Sequence, residues 1–355
     1  MKSFRFIFLI LLIFCFLIPL NALEIKEGRL KLVLHENIGR FSAYYLEDVR
    51  KNKYTSLFLD QDPRTSLLSV LIDNTVYRMG ETSGFTEKVE KTVNGGKFIW
   101  ESPFVRVTED FSFVNAPGET LPTGVVIKIS VTNISEQDYS AGVRYLFDTF
   151  LGERDNIHFK TETLSDVTNE RSFSSTSMPD YFLSQGKKET DTGFQIMTDS
   201  DGITKPDRVI LANWKRLNDN SWAYEVNSSR NFNQLPYSIN DSAIALYYNP
   251  SRVLKKQTKT VTIIIGSYNK NGYTLETSAT STEIAKLFNQ TVNETDTQFT
   301  DPNLAIQSDL IAVRDLIEKI DAKLESGEKI TDSDISVMEQ VISELQKRKT
   351  RYETE

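Results

Sequence analysis

The densest run of reactive side chains in the chain is Gly142 to Asn156, read Gly-Val-Arg-Tyr-Leu-Phe-Asp-Thr-Phe-Leu-Gly-Glu-Arg-Asp-Asn. Arg144 and Asp148 interrupt a strand-like apolar stretch that ends near Thr149. The loop beyond it carries Glu153, Arg154, Asp155 and His158, and Glu162, Asp166 and Glu170 follow. Three readings fit these residue types. Carboxylates at a sheet edge can hold Ca²⁺, which takes oxygen ligands, but the fixed Asp/Asn/Gly spacing of an EF-hand is absent and no metal site is expected. Two carboxyls can act as the acid and base of a sugar-cleaving site. In the third reading Arg144 and Asp148 pair with each other at the surface of a sandwich, and the acidic loop is only solvated.

A second dense stretch is Pro206 to Trp214, followed by Trp222 and Tyr224. Aromatic rings beside Asn and Arg can stack on a sugar ring and bond its hydroxyls. Aromatics in a β-sandwich also fill its core, and core is the reading taken for Trp214. The ligand-binding candidates are therefore Arg144, Asp148, Glu153, Asp155, His158, Asn213 and Trp214. Signatures of known chemistry are missing. The sequence has no P-loop, no GxGxxG after a strand, no GxSxG, no HExxH and no cysteine-based zinc site. The only histidines, His35 and His158, lie near no nucleophile signature. No catalytic residue and no cofactor are expected.

The elements that must position these groups divide by apolar period. From about residue 28 to 270 the pattern is strand-like, as in Leu30–Leu34, Leu67–Ile72, Phe104–Val107, Val125–Val131, Ala243–Tyr248 and Val261–Ile265. Asp73-Asn74 and Asn94-Gly95-Gly96 read as hairpin turns between such runs. Strands without helical crossovers predict antiparallel sheets packed as a sandwich. Beyond about residue 278 the period becomes helical. Ile306, Leu310, Val313, Ile317, Ile320 and Leu324 recur at spacings of four and three, which is a heptad seam. After Ser326-Gly327, Ile335, Met338, Val341 or Ile342, and Leu345 continue at helical spacing. The expected architecture is mainly β, an antiparallel sandwich over 23–275, a short helix and linker over 276–300, and a C-terminal α-helical hairpin over 301–355. Two helices alone bury too little to be stable, so the hairpin must dock on the sandwich, self-associate or hold a partner.

The first 22 residues read as a cleavable export signal: a cationic start, an apolar run from Phe6 to Leu20, and a small residue, Ala22, at the exit. The single cysteine, Cys15, lies inside that run, so the processed chain has no disulfide. A net charge of -8 disfavours nucleic acid and anionic lipid, which reward clustered Lys and Arg. No second apolar stretch is long enough to span a membrane. These features predict a soluble protein of the periplasm or cell exterior.

Val126 to Thr132, then Asn133-Ile134-Ser135 and Gly142-Val143-Arg144, resemble the strand, T-N-x-S turn and return strand of the large sugar-binding super-sandwich folds such as the aldose mutarotases. In that family the return strand runs into a His-Pro motif with a catalytic histidine. Here the place is Tyr145-Leu146-Phe147-Asp148-Thr149, without histidine. The fuller pattern, with Pro179-Asp180-Tyr181, Pro206-Asp207-Arg208-Val209 and Asp241-Ser242-Ala243, looks like a group of exported, uncharacterised bacterial β-sandwich proteins. The resemblance covers roughly 28–268, implies a super-sandwich fold and an envelope location, and transfers no catalytic residue. The expected function is non-catalytic: contact with an envelope protein or self-association, through the helical hairpin. The alternative is a carbohydrate-binding or carbohydrate-active protein that uses the acidic and aromatic residues above.

Overall fold

A computed structural model describes residues 22–48, 51–117, 119, 121–188 and 191–275, together with helical positions 317, 320, 335, 338, 339, 341–343, 345 and 346. Two large antiparallel sheets form the body. The six-stranded sheet has the order β12-β15-β16-β11-β5-β6, where β5 is Leu67–Ile72, β6 Thr75–Arg78, β11 Tyr139–Thr149, β12 Arg171–Ser174, β15 Arg208–Asn213 and β16 Ser242–Val253. The seven-stranded sheet has the order β13-β14-β17-β10-β9-β8-β7, where β7 is Thr86–Thr92, β8 Gly95–Glu101, β9 Val105–Val114, β10 Gly124–Asn133, β13 Tyr181–Gln185, β14 Gly193–Met197 and β17 Thr258–Ser267. A four-stranded meander, β1 (Ala22–Glu27), β2 (Leu30–His35), β3 (Arg40–Asp48) and β4 (Lys53–Ser56), adds Leu32, Leu34, Phe41 and Ala43 to the same core.

Side-chain alternation fixes which face goes where, because successive residues of a strand point to opposite sides. Val143, Tyr145 and Phe147 of β11 face the core between the sheets, with Ile244, Leu246 and Tyr248 of β16 and Val209 and Leu211 of β15. The intervening residues Leu146, Ala243, Ala245, Tyr247, Ile210 and Ala212 form a second apolar layer on the outer face. That layer is covered by a short helix, α1 (Trp214–Asp219), and the chain after it, through Leu217, Tyr224, Trp214 and Val226. The sheet is thus buried on both sides over β5, β11, β15 and the first half of β16.

The turn at Asn133 is built as its sequence suggests. Its side-chain carbonyl accepts from the Ser135 amide at 2.9 Å, and its Nδ2 donates to Gln137 O at 2.8 Å and Val253 O at 3.1 Å. At the C-terminal end, Ile320, Met338 and Leu345 pack with buried Val341 against Leu46, Tyr54 and Leu121 of the sandwich. Ile317 of the expected seam is 53% exposed. Ile306, Leu310, Val313 and Leu324, the short helix and linker expected over 276–300, and residues 1–21 of the expected export signal lie outside the described residues, while Ala22 opens β1.

One charge sits inside the main core. Glu109, on β9 between Val107 and Phe111, is fully buried and accepts a 2.7 Å hydrogen bond from the Tyr145 hydroxyl. Burial lifts its carboxyl to about 7 against that hydrogen bond and the nearby Arg40. A carboxyl raised on folding stabilises the fold below its unfolded value and loses that contribution as pH climbs through the folded value. We expect Glu109→Gln, which still accepts from Tyr145, to match the parent near pH 4 and to exceed it at pH 8 by about 3 kcal/mol in denaturant unfolding. A gap that does not change with pH would refute this account of the core charge.

Candidate functional site

Three strand ends meet at one edge of the six-stranded sheet. Thr149 of β11 pairs with Ser242 of β16, and Ser242 pairs with Asn213 of β15. The Thr149 hydroxyl locks this rung by donating to Ser242 O at 2.9 Å. Asp148 precedes the rung on β11 and Asp241 precedes it on β16. Glu153 joins them because the chain after β11 doubles back in a 3₁₀ turn, Glu153–Asp155, closed by Asn156 in the left-handed region. Gly152 makes the doubling possible, since a Cβ there would lie 1.9 Å from Ile157 O. Glu153 Oε1 then accepts from the Ser242 amide at 2.7 Å and its hydroxyl at 3.0 Å.

Asn213 ties the site to the chain that covers the sheet. Its Nδ2 donates to Phe232 O, Ser238 Oγ and Asp241 O at 2.9–3.0 Å, and its Oδ1 accepts from the Arg216 amide as the N-cap of α1. Trp214 is half-buried on the outer layer, and its indole N–H donates to Thr65 O at 2.8 Å. The segment ending at Thr65 also grips the end of β11, where Leu59 N donates to Asp148 O at 2.9 Å and Ser66 Oγ accepts from Asp148 N at 3.0 Å.

That segment forms one wall of an open cleft of about 390 Å³, lined by His35, Asn37, Ile38, Asp60, Gln61, Asp62, Pro63 and Arg64. The other wall is the β2–β3 turn. Asp62 caps the Pro63–Thr65 turn and pairs with Arg64 at 2.8 Å, and these hydrogen bonds hold its carboxyl below the usual range. His35 Nε2 lies 2.9 Å from Ser42 Oγ, and burial lowers its imidazole.

The carboxyls at the strand ends behave oppositely. Burial pushes Asp148 well above the ordinary range, and Asp241, Glu153 and Asp62 add to the shift against a hydrogen bond from Thr65. Burial lifts Glu153 to about 7, opposed by its Ser242 hydrogen bonds and aided by Asp241. Burial also raises Asp241, against a hydrogen bond from Ser238. Asp62, held ionised by Arg64, thus stands within electrostatic reach of Asp148, a carboxyl that resists ionisation. A neutral carboxyl both donates and accepts hydrogen bonds, as a sugar hydroxyl does. Environments that drive neighbouring carboxyls apart also separate an acid from a base. Among the described residues no group of three or more His, Cys, Asp or Glu is arranged to hold a metal ion, and no helix is long and apolar enough to cross a membrane.

The sequence-derived candidates divide in space. Asp148, Glu153, Asn213 and Trp214 come together at this edge. Asp155 is exposed and turns to the neighbouring loop, where its Oδ2 accepts from the Lys187 amide at 2.6 Å. His158 is buried with its ring 4.3 Å from that of Phe232, and burial lowers it to about 4. Arg144 does not reach the surface pairing with Asp148 that the strand pattern suggests. It is buried under α1, donates to Leu217 O at 2.8 Å and Ser221 O at 3.3 Å, and lies over the Tyr247 ring. The carbonyl end of a helix attracts a cation, which is how a guanidinium can be buried there. Sequence reading missed Asp62, Asp241 and Ser238. Of these, only Asp241 fell inside a motif already singled out, Asp241-Ser242-Ala243.

No protein-family model matches the chain, and no curated protein matches it. Solved structures with a similar chain course include a galactose mutarotase related enzyme from Lactobacillus acidophilus (9% identity, covering 71% of this chain and 99% of that one, TM-score 0.41). A galactose mutarotase-like protein from Lactobacillus casei also has 9% identity, with 70% and 100% coverage and a TM-score of 0.42. A putative aldose 1-epimerase from Escherichia coli has 9% identity, 70% and 99% coverage and a TM-score of 0.34.

Asn213→Ala removes a helix cap and leaves three acceptors, one of them buried, without their donor. We expect a loss of about 2–4 kcal/mol in unfolding free energy, with Asn213→Ser losing less because a side-chain oxygen remains to cap the helix. Equal losses in the two variants would show that the cap contributes nothing.

Proposed function

We propose that this is an exported envelope protein that binds a neutral saccharide in the cleft between the β2–β3 turn and the Asp60–Arg64 segment, with Glu153, Asp148 and Asp241 at the strand ends beside it. The observation that carries the reading is an open, amide- and carboxylate-lined cleft whose wall is hydrogen-bonded to the end of β11, beside carboxyls that burial raises, the buried Asp148 and the half-buried Glu153 and Asp241. Polar groups converging in a concave site with perturbed ionisation mark a functional site. The acidic lining disfavours uronic and sulfated sugars. Binding is the activity proposed, and hydrolysis is left to the assay.

The test is a glycan array followed by titration calorimetry on the processed, secreted protein. Neutral oligosaccharides should bind, and Asp62→Asn should weaken them about tenfold or more, the loss expected when a polar partner is removed from a buried contact. Glu153 holds its proton below about 7, so affinity should fall as pH rises from 5.5 to 8.5, and Glu153→Gln should flatten that dependence. Silence across the array together with no turnover in a glycosidase panel would end the proposal.

A second reading, contact with an envelope partner or self-association through the C-terminal helices, is favoured by one observation. Ile317, Ile335 and Ile342 are 53%, 45% and 44% exposed, while Ile320, Met338, Val341 and Leu345 are engaged on the sandwich. Deleting residues 301–355 should then change the sedimentation of the protein or the partners it retains. An unchanged oligomeric state and unchanged partners would exclude the assembly role.

A further inference from the structure

In the chain that covers the six-stranded sheet, Leu235, Tyr237 and Ile239 are 72%, 69% and 70% exposed, and Pro236 between them is exposed as well. Large apolar side chains clustered at the surface mark a binding surface more often than chance exposure. The loop that carries them is tightly held. Gln234 and Ser238 exchange backbone hydrogen bonds at 2.9 and 3.0 Å, and Asn240 N donates to Asn233 Oδ1 at 2.7 Å. From below, Arg216 donates to Gln234 Oε1 at 2.6 Å and also to Asn233 O. Ser238 points inward to Asn213 and Asp241, so its neighbours Tyr237 and Ile239 are left on the outside. The Tyr237 ring is steadied from one side by the Lys215 ammonium, 5.2 Å from its centroid, and Lys215 is itself held by Asp219 at 2.9 Å.

The loop is linked to the cleft wall by a chain of contacts, from Tyr237 over Lys215 to the neighbouring Trp214 and from its indole to Thr65, whose hydroxyl bonds Asp62 O. Ser238 shares Asn213 with Asp241. Sugar rings carry hydroxyls on their edges and C–H groups on their faces. A rigid aromatic ring with aliphatic neighbours matches the faces, and the carboxyl and amide groups match the edges.

We infer that the Leu235–Ile239 loop is a second subsite of the same binding surface, so that the ligand is a neutral oligosaccharide running from the Asp60–Arg64 cleft past Trp214 to stack on Tyr237. This rests on the saccharide reading above and adds chain length and a stacking platform to it.

The experiment titrates the processed protein with a mono-, a tri- and a hexasaccharide of one neutral series taken from the glycan array. Affinity should rise with length. Tyr237→Ala should weaken the hexasaccharide about three- to tenfold, the range of one stacking contact, and leave the monosaccharide unchanged. Tyr237→Phe should retain stacking and affinity, and thermal unfolding of each variant shows whether the loop stays folded. Asp62→Asn should weaken all three lengths. Length-independent binding, or a hexasaccharide indifferent to Tyr237→Ala, overturns the second subsite and leaves the cleft standing. No binding at any length overturns both. If Tyr237→Ala instead changes sedimentation of the protein alone, the loop is a contact between copies and the inference is wrong.

Discussion

The central strands of the six-stranded sheet are apolar on both faces, and the acidic edge depends on how the outer face is kept from water. Leu67, Leu146, Ile210, Ala243 and Ala245 would expose a continuous patch if the chain from Trp214 onward were lifted away. Burying such side chains contributes about 1.5–3 kcal/mol each, which holds the cover down. The cover is only one short helix followed by irregular chain, and irregular chain leaves many backbone groups without regular partners. Arg216 and Asn213 meet that need. Arg216 pairs with Glu170, whose carboxylate also accepts from Tyr224 Oη at 2.7 Å and the Asn227 amide at 3.0 Å, while Arg216 itself reaches Asn231, Asn233 and Gln234. Losing either partner would leave a buried charge uncompensated, a cost of several kcal/mol.

The chemistry of the edge follows from this cover. Asp148, Glu153 and Asp241 are acids placed where a sheet end, a doubled-back turn and the root of the covering chain exclude water. Burial, more than any neighbouring charge, is what raises each of them. Asp62, on the solvent side of the same wall, is held ionised by Arg64. The contrast between neighbours comes from depth on one side and the Arg64 hydrogen bonds on the other.

The alternating strands were legible because their apolar residues are spaced by two and bounded by turn residues. Leu30–Leu34, Leu67–Ile72, Val125–Val131 and Ala243–Tyr248 all lie in strands, and Asp73 takes the positive φ of a hairpin turn. Strands without that signal were not legible. β7 reads Thr-Glu-Lys-Val-Glu-Lys-Thr and is recognisable as an edge only beside β8, where its charges discourage further pairing. Within the site, Asp148 and Glu153 stood out by density in one segment. Asp62 did not, since it joins them only through the packing of residues 57–66 on the end of β11. The role of Arg144 was hidden for a related reason, because its carbonyl partners lie more than 70 residues away and only the helix end explains a buried guanidinium.

The placement of the exposed loop bears on what kind of surface this is. If the Leu235–Ile239 segment were merely a loose excursion of the cover, nothing would require its backbone to be fixed by Arg216, the residue that already anchors the cover at Glu170. One guanidinium instead couples the buried root of the cover to its exposed tip, and Asn213 couples that root to the acidic edge. A rigid tip lowers the ordering cost of any contact made there. The same two polar side chains therefore set the depth of the carboxyls and the position of the apolar tip, and neither feature can shift without disturbing the other.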